Sequence, residues 1–163
     1  DFRNANYWDT LNGIRAKVEI PKEIKQISVS IKRLEKIIKT KSVQNLGLNL
    51  ERVGALVNEM RQNLDTAQAS LQSGDFESAR EAMEFFHEGG HPGEIEGVIF
   101  GIKDLKNMLK QKRSSGAVSE IGRIIEEVSG LFNDGNYREA RETLDEGRSG
   151  LMRLLNQRGS ERR

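Results

Sequence analysis

Gly74-Asp75-Phe76-Glu77-Ser78-Ala79-Arg80-Glu81 returns sixty-one residues later as Gly135-Asn136-Tyr137-Arg138-Glu139-Ala140-Arg141-Glu142. In both copies a glycine, free to take the positive φ that closes a helix, stands directly before an Asp or Asn able to accept from the free N–H groups that open one. Glu139, three residues after Asn136, completes a capping-box pattern in the second copy. The stretch therefore reads as helix, tight turn, helix, made twice.

Working outward, Pro21-Lys22-Glu23-Ile24 aligns with Pro92-Gly93-Glu94-Ile95 at an offset of seventy-one residues, and the match continues through Ile31/Ile102, Leu34/Leu105 and Lys39/Lys110. The two offsets differ by ten. The first copy thus carries a longer connection, near residues 42 to 49, where the second has only Arg113-Ser114-Ser115-Gly116. Each copy reads as three helices, with a short additional helix at about residues 5 to 19, so about seven in all. The expectation is an all-α fold, a helical bundle or stacked helical hairpins built from a duplicated three-helix unit. It forms one domain over 1 to 163, with internal repeats at about 20 to 90 and 91 to 157. Residues 158 to 163 have no apolar face and read as a disordered tail.

Apolar spacing supports this throughout. Ile24, Ile27, Ile31, Leu34 and Ile38 step by threes and fours, and recur as Ile95, Val98, Ile102, Leu105 and Leu109. The second helices keep the step through Val53, Val57, Met60 and Leu64, and through Val118, Ile121, Ile125, Val128 and Phe132. No stretch alternates with the two-residue period of a half-buried strand. Gly89-Gly90 ends the first copy, and Pro92 then falls at the start of the next helix, where its missing N–H costs nothing.

The Gly-Asp/Asn-Phe/Tyr-x-x-Ala turn resembles the middle of a tetratricopeptide repeat, over about 25 residues in each copy. The resemblance implies that Phe76 and Tyr137, with Ala79 and Ala140, let two antiparallel helices pack closely, and it leans toward protein binding. The copies are spaced by 61 residues rather than about 34, and a three-helix unit has one helix more than that family's. No binding residue carries over.

The chain has 163 residues, enough to bury roughly 70% of the unfolded surface. Lys plus Arg is 26 against 25 for Asp plus Glu, a balance that disfavours nucleic acid as a partner. No run of 18 apolar residues is present, so no membrane insertion by this segment is expected, and the polar start is not a signal peptide. Cysteine is absent, which excludes disulfides, thiolate metal sites and cysteine nucleophiles, yet fits either redox compartment. The chain does not begin with Met, which suggests a processed chain or a region of a larger protein. An extracytoplasmic region is favoured over a cytoplasmic one.

His87-Glu88-Gly89-Gly90-His91 matches the zinc-peptidase pattern H-E-x-x-H and holds both histidines of the chain. That chemistry needs both imidazoles on one face of a continuous helix, with the Glu activating a metal-bound water. Two intervening glycines and the following Pro92 should break the helix at that turn, so an exposed loop is the expectation and a zinc-dependent hydrolase the alternative. No phosphate-binding loop, nucleophile elbow or dinucleotide fingerprint occurs. No catalytic, cofactor-binding or metal residue is assigned, and no cofactor is expected.

Gly93, Gly97 and Gly101 form a small-residue ridge along one helix. Three glycines there would cost about 2 to 3 kcal/mol relative to Ala, so something should offset them. Either the ridge packs closely against another helix of the chain, or it is an interaction face for a partner or a second copy. Charge is also segregated: residues 22 to 41 carry seven Lys or Arg against two Glu, and residues 75 to 96 carry seven Asp or Glu against one Arg. These surfaces either pair inside the fold or stack copies head to tail. The functional expectation is a non-enzymatic scaffold or protein-protein interaction module whose partner is another protein or itself, with a self-assembling structural subunit as the alternative.

Overall fold

The structure, a computed structural model, describes the backbone of residues 2–111 and 115–161 and the side chains of residues 17–111 and 116–157. Among the described residues there is no strand. The helices are α1 (Phe2–Ile38), α2 (Lys41–Gln44), α3 (Leu50–Gln72), α4 (Phe76–His87), α5 (Pro92–Lys110), α6 (Ser115–Asn133) and α7 (Tyr137–Glu161). The protein is an all-α helical bundle.

The partition differs from the expected one in three places. No separate helix occupies residues 5 to 19; α1 runs unbroken through Pro21. Nothing in Lys17-Val18-Glu19-Ile20 stops a helix, and the buried Ile20 and Ile24 continue one apolar stripe across the proline. Pro21 is itself exposed, and the helix continues past it without the one hydrogen bond that its missing N–H would have made. Pro92, by contrast, is the first residue of α5, because Gly89 at φ +109 has already ended α4. The second difference is α2, a single turn inside the stretch read as a loop. Arg113 and Ser114 of the shorter connection lie outside the described residues. Helical backbone extends to Glu161 in the stretch read as a tail, and residues 162 and 163 lie outside the description.

Both glycine turns close identically. Gly74 (φ +81) donates to the Leu71 carbonyl at 3.1 Å and Asp75 to that of Ser70 at 2.8 Å; Gly135 (φ +86) donates to Phe132 at 3.0 Å and Asn136 to Leu131 at 2.9 Å. This is the Schellman pair of hydrogen bonds, which satisfies the last carbonyls of the preceding helix. Asp75 then caps α4, its carboxylate accepting from the Ser78 N–H at 3.1 Å and the Ser78 hydroxyl at 2.7 Å.

The chain divides into two compact units, residues 1–35 with 54–92, and residues 36–53 with 93–163. In the first, α1 and α3 run antiparallel, with Glu35 paired to Arg61 near one end and Ile24 beside Gln68 and Leu71 toward the other. Parallel to α1 lies α4, the Lys17 ammonium 5.6 Å from the Phe76 ring centre and His87 Nε2 2.6 Å from a Glu23 carboxylate oxygen. Ile27, Ile31, Val57, Met60, Ala79 and Phe86 are buried in it.

In the second unit α6 and α7 form an antiparallel hairpin, from Phe132 packed edge-on to Tyr137 (5.0 Å between ring centres) to Ile124 against Gly147. The close approach at Gly147 selects which face of α6 is buried. Ala117, Ile121, Ile124 and Val128 point inward, whereas Val118 and Ile125, expected in the seam, are half-buried. Residues 36–53, which contain the ten-residue excess of the longer connection, also belong to this unit. Val43 and Leu48 are buried there. Lys106 Nζ donates to the Leu46 carbonyl at 2.7 Å, Asn49 N–H to Asn133 Oδ1 at 2.8 Å and Arg52 Nη1 to the Asp134 carbonyl at 2.7 Å.

Candidate interaction surfaces

Gly93, Gly97 and Gly101 lie on α5, and Gly97 and Gly101 face α7. The two helices run parallel in constant register: Glu94 Oε1 is 3.6 Å from Arg138 Nε, and Asp104 Oδ2 is 3.1 Å from Arg148 Nη2. Between these ends, a Cβ at Gly97 would collide with the Arg141 guanidinium and one at Gly101 with the Leu144 methyl groups. The ridge is thus met by the chain's own α7. The cost of a helical glycine at Gly101 is offset by a close approach to the buried Leu144, whereas at Gly97 the neighbour is the flexible end of Arg141. Gly101 is buried; Gly93 and Gly97 are partly exposed.

His87 is the last residue of α4, and Glu88, Gly89, Gly90 and His91 lie between α4 and α5. The imidazoles are therefore not one turn apart on a continuous helix. The pattern breaks because Gly89 takes φ +109 and because Gly90 is packed so tightly on Phe85 that a Cβ would sit 2.7 Å from the Phe85 carbonyl oxygen. Among the described residues no group of three or more His, Asp or Glu could hold a metal ion.

The Tyr137 hydroxyl is buried and has no hydrogen-bond partner among the described residues. Burial pushes its pKa up, against a smaller opposing effect of the Arg52 charge. Arg52 is held elsewhere, across the face of Gly135 and on the Asp134 carbonyl. The matching residue in the first turn is Phe76.

The segregated charge falls into two ordered stripes of the first unit. On α1, Lys22, Lys25, Lys32 and Arg33 are exposed opposite the buried Ile24, Ile27, Ile31 and Leu34, with exposed Val18 and Val29 on the same face. On α4, Glu77, Glu81 and Glu84, continued by Glu88, are exposed opposite Ala79, Ala82, Met83 and Phe86. Steps of three and four, through Lys22, Lys25, Val29 and Lys32 on α1 and through Glu77, Glu81, Glu84 and Glu88 on the other helix, keep each stripe straight, about 15 Å long at the rise of an α-helix. Lys22, Lys25, Lys32, Glu77, Glu81 and Glu84 have no ion-pair partner among the described residues. Of the two outcomes that segregation allowed, pairing inside this unit is absent among those six side chains. The sequence signalled the charge runs; it did not signal that both would stand opposite a buried stripe.

Among the described residues no helix is long and apolar enough to cross a membrane. No family model, curated protein or solved structure matches the chain.

Proposed function

We propose that the protein is a helical interaction module that binds another protein through the charged outer faces of α1 and α4, and performs no chemistry itself. The observation that carries this reading is the pair of straight, single-sign stripes in which Lys22, Lys25 and Lys32 on one helix and Glu77, Glu81 and Glu84 on the other have no ion-pair partner among the described residues. Exposed ion pairs are individually weak, so a helix face of several aligned like charges gains little for the isolated chain. Opposite an oppositely charged surface, the same face speeds encounter and fixes register. The apolar stripes behind these faces are consumed by helix-helix packing, and Gly97 and Gly101 are met by α7. The turn resemblance to tetratricopeptide repeats leans the same way.

The test uses the full chain as bait in an extract of its source, beside Lys22→Glu/Lys25→Glu/Lys32→Glu and Glu81→Lys/Glu84→Lys/Glu88→Lys variants. Glu77 is left in place because a carboxylate in the first turn of α4 favours the helix. Proteins retained by the wild type and lost from a stripe variant with unchanged circular dichroism support the reading. Retention indifferent to both stripes, or no retention, overturns it.

A further inference from the structure

We infer that the partner of each stripe is the opposite stripe of a second copy, so that copies associate head to tail, α1 of one against α4 of the next. This rests on the reading of α1 and α4 as binding faces and names the occupant. The two stripes match in the three respects that such a contact needs. Their signs are opposite: Lys22, Lys25 and Lys32 on one, Glu77, Glu81, Glu84 and Glu88 on the other. Their spacing is the same alternation of three and four residues, with Val29 filling the one position of the basic series that carries no charge. Their lengths agree at about 15 Å.

Each stripe also points away from the core of its own unit, because each is diametrically opposite the buried side chains of its helix. The two cannot meet within that unit, but they are free to meet between copies. The flanking charges do not cancel this: Glu19 and Glu23 lie off the basic stripe, Glu23 toward His87, and Arg80 is a single cation beside four carboxylates. Unlike surfaces in contact form a heterologous interface, which leaves one stripe open at each end of a pair and lets the series grow or close into a ring. Val18 and Val29, 66% and 56% exposed, lose water in such a contact.

Sedimentation velocity on the full chain and the two triple variants tests this. At low salt the wild-type sedimentation coefficient should rise with concentration, and the rise should vanish at 1 M salt as the Debye length shortens from about 10 Å at 0.1 M to about 3 Å. Each variant alone carries two stripes of predominantly one sign and should show no rise. An equimolar mixture of the two should regain it, because an all-acidic copy then meets an all-basic one. Should a reversed triple lose its helical signal, the Lys→Gln or Glu→Gln version, which should also abolish the rise, replaces it. A flat wild-type coefficient overturns the inference, as does a rise that survives in either variant alone or a mixture that stays flat. If the coefficient is flat while the lysine variant loses binding to phosphatidylserine vesicles, α1 is a membrane-facing stripe instead. If it is flat while extract proteins depend on the stripes, self-pairing falls and the interaction module stands. If neither holds, both fall.

Discussion

The guanidinium of Arg141, on α7, occupies the volume that a side chain at Gly97, on α5, would need. One turn further along, Gly101 has the same relation to Leu144. The two positions look alike in the sequence and differ in what stands above them.

That difference orders two substitutions. Arg141 is a flexible side chain, 43% exposed, and can swing toward Asp145, with which it already pairs. Gly97→Ala should therefore be near neutral, the displacement offset by Ala's helix preference of about 1 kcal/mol. Leu144 is buried and cannot move away, so Gly101→Ala should destabilise by about 1 to 2 kcal/mol net of that preference. Urea unfolding of both variants checks the order, and a Gly101→Ala protein more stable than Gly97→Ala contradicts the packing described.

Tyr137→Phe should stabilise the protein by up to about 1 kcal/mol, because it removes a buried hydroxyl without a partner and keeps the ring against Phe132. The folded pKa of this phenol lies above its ordinary value of 10.0, so the folded state holds the proton more tightly than the unfolded state. Its contribution is then fully present below pH 10 and is lost as pH rises from there toward the folded pKa. Wild type should lose stability in that alkaline window, and Tyr137→Phe should lose less. Equal alkaline slopes would show that the hydroxyl is hydrated or bonded.

Asp75 works in the opposite window. The Ser78 hydroxyl, and then the Ser78 N–H, hold its carboxyl below the ordinary 3.8, so its stabilising effect is present above that pH and is lost as pH falls through the lower folded value. Asp75→Asn keeps an acceptor at the cap, as Asn136 offers in the second turn, and cannot be protonated in this range. Thermal melts from pH 7 to pH 2 should show a smaller acid loss for Asp75→Asn than for wild type, whereas Asp75→Ala should be weaker than both at pH 7.

Residues 36–53 are tied to their unit by a few polar bonds besides Val43 and Leu48. Lys106→Met removes the ammonium that accompanies the Leu46 carbonyl, and Asn133→Ala removes the acceptor of the Asn49 N–H. Amide exchange at residues 45 to 50 should accelerate in both variants, with little change in α6 beyond its last turn. Unaltered exchange would mean that the two buried apolar side chains alone hold this segment.

The two histidines give a last check. Because His87 ends α4 and His91 lies beyond Gly89 and Gly90, zinc added to the full chain should be removed by dialysis, and chelator should leave the melting temperature unchanged. Stoichiometric zinc that survives dialysis and is lost in His87→Ala/His91→Ala would restore the hydrolase alternative.

Much of the fold was legible because helix periodicity and end signals are local. Ile27, Ile31 and Leu34 are buried at the spacing their sequence announces, and Gly74 and Gly135 take positive φ where an Asx residue follows. Local signals also misled. A proline reads as a helix start at both Pro21 and Pro92, and only at Pro92 do preceding glycines make it one. In α6, two adjacent seams were available, and Ile124 rather than Ile125 is buried because Gly147 comes close on that side. That choice depends on a residue more than twenty positions away.

The sequence by itself determined the helical class, the positions of the tight turns and the segregation of charge, since each follows from residues within one or two turns of one another. Only the tertiary structure decided that Gly97 and Gly101 of α5 receive Arg141 and Leu144 of α7, that residues 36–53 belong with α5 to α7, and that the basic and acidic stripes both stand outward, opposite the buried side chains of their helices. Those outcomes depend on which faces meet when apolar stripes are removed from water, and burial is shared among helices far apart in the chain, where no local pattern records the choice.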